Sequence, residues 1–545
     1  MKKQLNYFFQ GCMILLTGAI WLCSADFLIA QEINIKNDQF WETVDGEPIY
    51  SQGGGVFQFT DPVTGSKKYY WYGAFYEEAE LYRNNPAVTQ KTDNFVAVTC
   101  YTSTDLVNWS FEDHVLEMAE IDQHFDNTSW MGRLGVAYIK EIDQYAMFIQ
   151  HVSQLLILLS DSPTGPFKWH HRKNMEPIIG TTNTGDQTVF TDEDTGISYL
   201  VYSHGRGRAR IYISEIGVKN GKVDLLDSKE VFKGEGREGN TMVKYKGKYY
   251  LFASNLYGWD SSYAYYLVAD DVRGPYRPTN KMLITPGSMD DYAHITQTGF
   301  FITVKGSEQE TVIYCGDRWA NFAGNGLGYN QWMPMSFDGL TPHFNSLNSW
   351  DFDVNTGAWK VADDNNYIKN GSFEADRKYI PSDVKPLQEQ LKGWLSKVYQ
   401  GNDIVIGASD SPVLNFYNTR EDRKIVIGEK SLNISDVIRF KRKVYQVIES
   451  TPFVPLKDGN YILTAKVKCS KNFHELEMYA ESNGERTSVK IEDKNAGWTQ
   501  VELKDIKVKG GKVVVGFWAD GGAGASCQID DVAFIMGDTN QWLEN

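Results

Sequence analysis

The chain has 545 residues, too many for a single hydrophobic core, so we expect two or three domains. A composition of 42% hydrophobic and 23% charged residues is that of a globular protein. The formal net charge of −16, with no long run of basic residues, argues against nucleic acid as a partner. Aromatic residues make up 14% of the chain, which is typical of large β-proteins and of proteins that bind sugars.

The N-terminal segment has the features of an export signal. Lys2 and Lys3 precede an apolar stretch at residues 12–22, and a plausible cleavage site follows Ala30. We therefore predict a signal peptide over residues 1–30 and a periplasmic or extracellular protein. An N-terminal membrane anchor is the alternative.

The cysteines give little sign of a metal site. The sequence has no CxxC pair and no zinc-type spacing, so we predict no metal and no cofactor. In an exported domain, Cys469 and Cys527 are candidates for a disulfide bond.

A tyrosine-containing apolar segment recurs along the first part of the chain, at spacings of about 50 to 76 residues. The five copies are Lys68–Gly73, Gln144–Ile149, Ile197–Tyr202, Lys248–Ala253 and Glu310–Cys315. Short strands separated by Gly- and Pro-containing turns at this period predict the blades of a propeller. We therefore predict an all-β fold with a five-bladed β-propeller over residues 31–360. A large β-sandwich with accidental similarity between strands is the alternative.

The repeat ends near Trp359, and a polar stretch at residues 363–366 is a candidate linker. Alternating strands then follow, for example at residues 461–467 and 513–518. We predict a jelly-roll β-sandwich over residues 361–545. Its opening pattern NGSFE…GW and closing pattern IDDV resemble those of galactose-binding-like carbohydrate-binding modules.

Two acidic residues stand at similar positions in consecutive repeats. Glu238 lies in Gly-Arg-Glu-Gly-Asn just before one predicted strand, and Asp186 lies in Thr-Gly-Asp-Gln-Thr just before another. Equivalent positions of propeller blades converge at the central axis, so the two carboxyl groups are candidates for one pocket. Glycoside hydrolysis uses such a pair of groups. A solvated loop glutamate and an aspartate that caps a turn are the alternatives.

Several ordered motifs resemble glycoside hydrolase family 43 over roughly residues 45–350. They are SQGGGVFQF, KYYWYG, YTSTDLVNW, GDQTVFTDEDTG, REGNTMVKYKGKYYLFAS, VRGPY, TQTGFF and CGDRW. Each is weak alone, but their order and spacing are specific. The resemblance is strongest to the branch that contains exo-β-1,3-galactanases and to a neighbouring branch of bacterial arabinogalactan degraders.

This resemblance implies roles for the matched residues. Glu238 corresponds to the general acid, and Asp186 to the carboxylate that orients the acid and keeps it protonated. The family usually has an aspartate as base in the first blade, where this chain has Ser51–Gly55 without a carboxylate. In the galactanase branch a glutamine in its imidic-acid form has this role, which implies Gln297 here. Asp317 is the rival base.

A second departure concerns the sugar. The galactanase branch has Glu-Arg-Pro in the second blade, whereas this chain has Gly132, Arg133 and Leu134. The missing glutamate contacts substrate in that branch, so the departure favours the neighbouring branch and α-L-arabinofuranosidase activity.

Side chains near the matched motifs are candidates for substrate binding, and for each aromatic residue among them a core position is the alternative. They are Trp71, Trp130, Arg133, Tyr257, Trp259, Asp317, Arg318 and Trp319. His294 is a candidate for the propeller axis, where some family members hold a metal through histidine, and a structural histidine is the alternative.

We therefore expect an exo-acting, inverting glycoside hydrolase that releases terminal α-L-arabinofuranose or β-1,3-linked galactose. Its expected partner is plant cell-wall oligo- or polysaccharide, with no stable protein partner. A non-catalytic glycan-binding protein is the alternative, motivated by the missing aspartate. A structural surface protein would leave the ordered motifs unexplained.

Overall fold

The computed structural model describes residues 33–125, 131–151, 154–324, 329–375, 391–402, 414–415, 428–492 and 497–537. The predicted signal peptide and Trp130 lie outside these residues, so export stays a prediction. The chain is an all-β protein with a few short helices. These are α1 (Glu77–Asn84), α2 (Met118–Asp122), α3 (Glu176–Ile179), α4 (Tyr292–Ile295) and a 3-10 turn (Asn321–Ala323). Across the described ranges, none of the helices has the length and hydropathy needed to span a membrane.

Strand β1 (Ile33–Lys36) is followed by five antiparallel sheets, each made of four consecutive strands. The first sheet contains β2 (Gln52–Thr60), β3 (Lys67–Tyr76), β4 (Phe95–Ser103) and β5 (Ser110–Glu117). The second contains β6 (Met131–Ile139), β7 (Gln144–His151), β8 (Gln154–Ser160) and β9 (Lys168–Lys173). The third contains β10 (Thr184–Thr191), β11 (Ser198–His204), β12 (Arg210–Lys219) and β13 (Lys222–Lys233). The fourth contains β14 (Glu238–Tyr245), β15 (Lys248–Ser254), β16 (Tyr265–Ala269) and β17 (Leu283–Ile284). The fifth contains β18 (Gln297–Lys305), β19 (Glu310–Asp317), β20 (Asn330–Asp338) and β21 (Thr341–Phe344).

The five sheets are arranged as a closed ring. The first strand of each sheet contacts the first strand of the next, in the order β2, β6, β10, β14 and β18, and β18 contacts β2 again. We call this arrangement the five-sheet ring. It brings the starts of five separate strands to a common axis.

The repeated segments of the sequence form the second strand of each sheet, β3, β7, β11, β15 and β19. Almost every residue of these strands is buried, because each sheet packs against a neighbouring sheet on both faces. Burial on two faces explains why these segments are continuously apolar rather than alternating.

A small sheet joins the beginning of the described chain to the end of the ring. It contains β1, β22 (Ser349–Phe352) and β23 (Trp359–Val361). Ile33 of β1 is paired with Phe352 of β22, so chain segments more than 300 residues apart form one ladder. This pairing fixes the strand that precedes the first sheet.

After β23 the chain forms two five-stranded sheets around a single apolar core, which we call the sandwich. One sheet has the order β24-β27-β32-β29-β30 and the other β25-β26-β33-β28-β31. The strands are β24 (Leu395–Gln400), β25 (Leu414–Asn415), β26 (Ser431–Ser435), β27 (Phe440–Glu449), β28 (Gly459–Cys469), β29 (Phe473–Ser482), β30 (Glu485–Lys490), β31 (Thr499–Val508), β32 (Lys512–Gly521) and β33 (Ser526–Met536). A disulfide bond links Cys469 of β28 to Cys527 of β33, which are directly opposite in the ladder.

Candidate active site

All five innermost strands have a β-bulge near their N-terminal ends. The register shifts lie between Gln52 and Gly55, Gly132 and Leu134, Thr184 and Gln187, Glu238 and Thr241, and Thr298 and Phe300. A bulge locally redirects side chains, and bulges are common beside active sites. Side chains from the starts of several strands therefore share one end of the axis.

Glycine permits the backbone conformation at two of these bulges. Gly53 has φ of 67° and Gly239 has φ of 58°, in the left-handed region that favours glycine. A Cβ atom at Gly239 would lie 2.5 Å from the carbonyl oxygen of Thr298, so close packing also requires glycine there. The Gly-rich motifs of the sequence thus bring neighbouring strands close together at the site.

The guanidinium group of Arg133 lies at the centre of the site and donates hydrogen bonds to three side chains. Nε donates to Asp186 Oδ2 at 3.2 Å, Nη1 to Asp317 Oδ2 at 2.9 Å, and Nη2 to Gln297 Oε1 at 2.6 Å. Arg133 is only 3% exposed. One cation therefore links the second, third and fifth sheets of the ring.

Glu238 lies in direct contact with this cluster. Gln297 Nε2 donates to Glu238 Oε1 at 2.8 Å, and Arg208 donates to Glu238 Oε2. The Arg208 guanidinium is also 3.1 Å from Asp186 Oδ1, so it bridges the two carboxylates. The backbone N–H of Gly239 donates to Asp186 Oδ2 at 2.8 Å, which connects Asp186 to the strand that carries Glu238.

The two buried aspartates have pKa shifts of opposite direction. Burial alone would raise the pKa of Asp186, but Arg208, Arg133 and the Gly239 N–H outweigh burial and lower it below its ordinary value. Burial raises the pKa of Asp317, and Arg133 and the Gly53 N–H offset only part of this effect. Asp186 is therefore the aspartate whose surroundings keep it ionised.

A left-handed turn at residues 292–295 lies one residue before Gln297. Helix α4 has φ values of 52°, 51°, 56° and 58° at four consecutive non-glycine residues. Such a conformation costs roughly 1–2 kcal/mol per residue, so surrounding contacts must hold it. His294 provides two of them: its ring is 2.7 Å from Ser346 Oγ and 3.0 Å from Asp38 Oδ2.

His294 is thus engaged with polar side chains. Burial opposes its protonation, but Asp38 and Asp291 outweigh burial and raise the pKa of His294 above its ordinary value. Among the described residues, no group of three or more His, Cys, Asp or Glu side chains is placed to hold a metal ion.

The structure brings the three predicted catalytic residues together. Asp186, Glu238 and Gln297 lie at one end of the ring axis, and Asp317 lies opposite Gln297 in the β18–β19 ladder. Arg133, which we expected to bind substrate, instead uses its buried guanidinium to hold the other members of the cluster.

For three side chains, the structure does not fit the substrate-binding role that we expected. Trp71 is 0% exposed and packs against other tryptophan rings in the core, so it has no free face for a sugar. Tyr257 is also buried and contacts Tyr292 edge-on. The buried Arg318 has its guanidinium 3.8 Å from the carboxylate of Glu374, rather than in the cluster. Glu374 belongs to residues 369–375 and 391–393, which lead into the sandwich and which we call the sandwich segment.

Two aromatic candidates do lie at the site. The ring of Trp319 is 5.8 Å from the Arg133 guanidinium, and the half-buried Trp259 packs 5.4 Å from Trp319. Trp319 is almost completely buried, so Trp259 is the better placed of the two to contact a ligand.

Sequence reasoning missed Arg208 and the role of Gln52. Arg208 lies in the turn between β11 and β12 and has a φ of 47°. The closely spaced glycines and arginines of residues 205–208 were the available signal. Gln52, at the start of β2, donates through Nε2 to the carbonyl oxygen of Arg318 at 2.9 Å.

Residues 75–328 match the family described as glycosyl hydrolases family 43. This range includes the acid, amide and arginine side chains of the cluster. The chain contains a family 43 glycoside hydrolase domain. It is therefore a glycoside hydrolase, as the ordered motifs of the sequence predicted.

Solved structures share the fold of this chain at low identity. An exo-β-1,3-galactanase from Phanerochaete chrysosporium, determined with β-1,3-galactotriose, is 19% identical and has a TM-score of 0.52. The alignment covers 92% of this chain and 100% of the fungal chain. An exo-β-1,3-galactanase from Clostridium thermocellum is 22% identical with a TM-score of 0.49, over 60% of this chain and 68% of that one. None of the curated proteins matches the chain.

Replacing Arg133 tests its role as the common cation of the cluster. In Arg133→Met, the buried carboxylates of Asp186 and Asp317 lose this partner, so the free energy of unfolding should fall by about 3–5 kcal/mol. Urea denaturation followed by tryptophan fluorescence measures this change. In the control Arg210→Met, an exposed pair with Glu230 is lost, and stability should change by less than about 1 kcal/mol. Equal stability of the two variants would contradict the role of Arg133.

The two tryptophans Trp71 and Trp259 should respond differently to substitution. Trp71→Ala removes a fully buried ring, so it should lower the free energy of unfolding by about 3–5 kcal/mol without a selective effect on KM. Trp259→Ala should raise KM for a glycoside substrate by about tenfold and leave most of the stability intact. Denaturation curves and steady-state kinetics on both variants check this. A stable Trp71→Ala protein with a raised KM would instead indicate that Trp71 contacts the sugar.

Proposed function

We propose that this protein is an exo-acting, inverting glycoside hydrolase that removes terminal β-1,3-linked galactose from arabinogalactan-type plant polysaccharide. The observation that carries the proposal is the contact of Glu238 with Gln297 at 2.8 Å beside Asp186, in a family 43 domain. The fungal structure that shares this fold is named an exo-β-1,3-galactanase, which supports galactose as the sugar.

In the proposed mechanism, Glu238 donates a proton to the glycosidic oxygen as the bond to the leaving group breaks. A water molecule attacks the anomeric carbon from the opposite face and passes a proton to Nε2 of Gln297 in its imidic-acid form, in which this nitrogen has a free lone pair. The protonated amide that results then loses its Oε1 proton to solvent, which restores the neutral amide. Arg133 holds Gln297 by its Oε1, so Nε2 is the atom directed toward Glu238 and the sugar. Asp186 and Arg208 orient the acid.

The direct contact of Glu238 and Gln297 sets a condition on this mechanism. Inverting enzymes separate their acid and base groups by roughly 6.5–9.5 Å, which leaves room for the sugar and a water molecule. The bond between Gln297 and Glu238 must therefore break when substrate enters.

Asp317 is less suitable than Gln297 as the base. Asp317 is 1% exposed, and its two oxygens accept hydrogen bonds from Gly53 N at 3.0 Å and Arg133 Nη1 at 2.9 Å. A base must reach a water molecule, whereas both oxygens of Asp317 are buried and hydrogen-bonded to protein groups. Their geometry supports a structural role for Asp317.

α-L-Arabinofuranose is the second candidate sugar. The motivation is Gly132, which stands where the galactanase branch has a substrate-contacting glutamate. Chromatography of the sugar released from arabinogalactan, from an aryl α-L-arabinofuranoside and from an aryl β-galactoside separates these candidates.

We further propose that the five-sheet ring is a five-bladed β-propeller and that the sandwich has jelly-roll topology. The closed order of contacts among β2, β6, β10, β14 and β18 supports the first statement. The two five-stranded sheets around one core support the second.

Glycan binding by the sandwich stays a prediction. Aromatic side chains on its β24-β27-β32-β29-β30 sheet are covered by cations: Lys397 lies 4.8 Å from the ring of Tyr399, and Arg486 lies 3.9 Å from that of Tyr479. A sugar would have to displace these cations before it could stack on the rings.

Glu238→Gln tests the general acid with two leaving groups. With β-1,3-galactobiose, whose leaving sugar needs a proton, kcat should fall by about 10²–10⁴-fold. With 2,4-dinitrophenyl β-galactoside the loss should be much smaller, because this leaving group departs without protonation. The control Glu235→Gln changes an exposed glutamate three residues away and should leave both rates unchanged.

Two results would contradict the proposal. Equal losses of kcat on the two substrates would show that Glu238 is not the general acid. Wild-type protein that binds galactan but releases no sugar from any substrate would favour the glycan-binding alternative.

A further inference from the structure

The sandwich segment contacts the five-sheet ring on both sides of the proposed base. Gln297 and Asp317 are directly opposite each other in the β18–β19 ladder. Residues 290–296 lead into Gln297, and Arg318 follows Asp317. Both flanking segments are contacted by residues 369–375 and 391–393, which lead into the sandwich.

The first contact acts on the residue after Asp317. Glu374 is 5% exposed, and one of its carboxylate oxygens accepts from the backbone N–H groups of Glu429 at 2.8 Å and Lys430 at 2.6 Å. The other oxygen lies 3.8 Å from the buried guanidinium of Arg318. The carbonyl oxygen of Arg318 in turn accepts from Gln52 at the start of β2. Glu374 therefore holds Arg318, the residue that follows Asp317 at the end of β19.

The second contact acts on the left-handed turn before Gln297. The ammonium group of Lys392 lies 4.9 Å from the ring centre of Tyr292, the first residue of α4, and donates to the hydroxyl of Tyr263 at 2.8 Å. Lys369 forms an ion pair with Asp290. A strained conformation persists only where its surroundings hold it, and the sandwich segment supplies part of these surroundings.

We propose that the sandwich is a functional part of the active site, in which Glu374 and Lys392 are positioning residues that hold Asp317 and Gln297 in place. Neither residue contacts the cluster itself, so each acts through Arg318 or through the α4 turn. The inference rests on the proposed function, since it takes Gln297 as the base. Displacement of a catalytic group by about 1 Å can reduce a rate by about 10²-fold, so this support should affect the chemical step.

The variants Lys392→Met and Glu374→Gln test this inference. Each should lower kcat on an aryl β-galactoside by about tenfold or more at a temperature where the protein stays folded, with KM changed less than about twofold. Lys392→Arg keeps the cation and should restore most of kcat. The matched control Lys443→Met removes a lysine that stacks on Tyr445 and Tyr479 within the sandwich, and kcat should not change.

A purely structural interface would give a different result. Lower thermal stability with wild-type kcat in both Lys392→Met and Glu374→Gln would overturn the inference. So would a loss of kcat in Lys443→Met equal to that in Lys392→Met, because the effect would then not depend on the contact with α4.

Hydrogen exchange separates failure of this inference from failure of the proposed function. If the wild-type protein hydrolyses no galactoside, the proposed function fails, but amide exchange at residues 290–298 is still measurable. Exchange there should be at least about tenfold faster in Lys392→Met than in Lys443→Met. Equal protection in the two variants would overturn the inference whatever the activity.

Discussion

The candidate active site depends on one buried interaction, the hydrogen bonding of the Arg133 guanidinium group. Two carboxylates and an amide from other sheets accept its hydrogen bonds. Burying Asp186 and Asp317 together without a cation would be costly, because desolvation and mutual repulsion both disfavour their ionised forms. Arg133 removes much of this cost and at the same time fixes the direction of Gln297. The same interaction therefore stabilises the end of the ring and orients the proposed base.

The ring supplies the geometry that Arg133 requires. Bulges at the starts of the innermost strands redirect side chains that a regular ladder would alternate between the two faces. The sequence repeat predicted the second strands well, because burial on both faces leaves a continuous apolar signal. The position of Glu238 and Asp186 before consecutive strands also predicted that they lie together, since equivalent strand starts converge at the axis.

Other parts of the site could not be predicted from the sequence. Trp71 stands in a matched motif, but a tryptophan in a core and one in a pocket have the same local pattern, and only burial separates them. Arg208 lies in a turn and contacts Glu238 on another sheet, and no periodicity indicates such a contact. The Arg318–Glu374 pair joins residues that belong to different predicted domains, and its partner cannot be inferred from either domain alone.

A crystal structure of the Glu238→Gln protein with bound β-1,3-galactobiose tests the central claim most directly. We expect Arg133 to keep its hydrogen bonds to Asp186 and Asp317, with the anomeric carbon between residues 238 and 297. The side-chain groups of these two residues, in contact at 2.8 Å without substrate, should separate toward roughly 6.5–9.5 Å. A sugar bound elsewhere, with the 2.8 Å contact intact, would contradict the account.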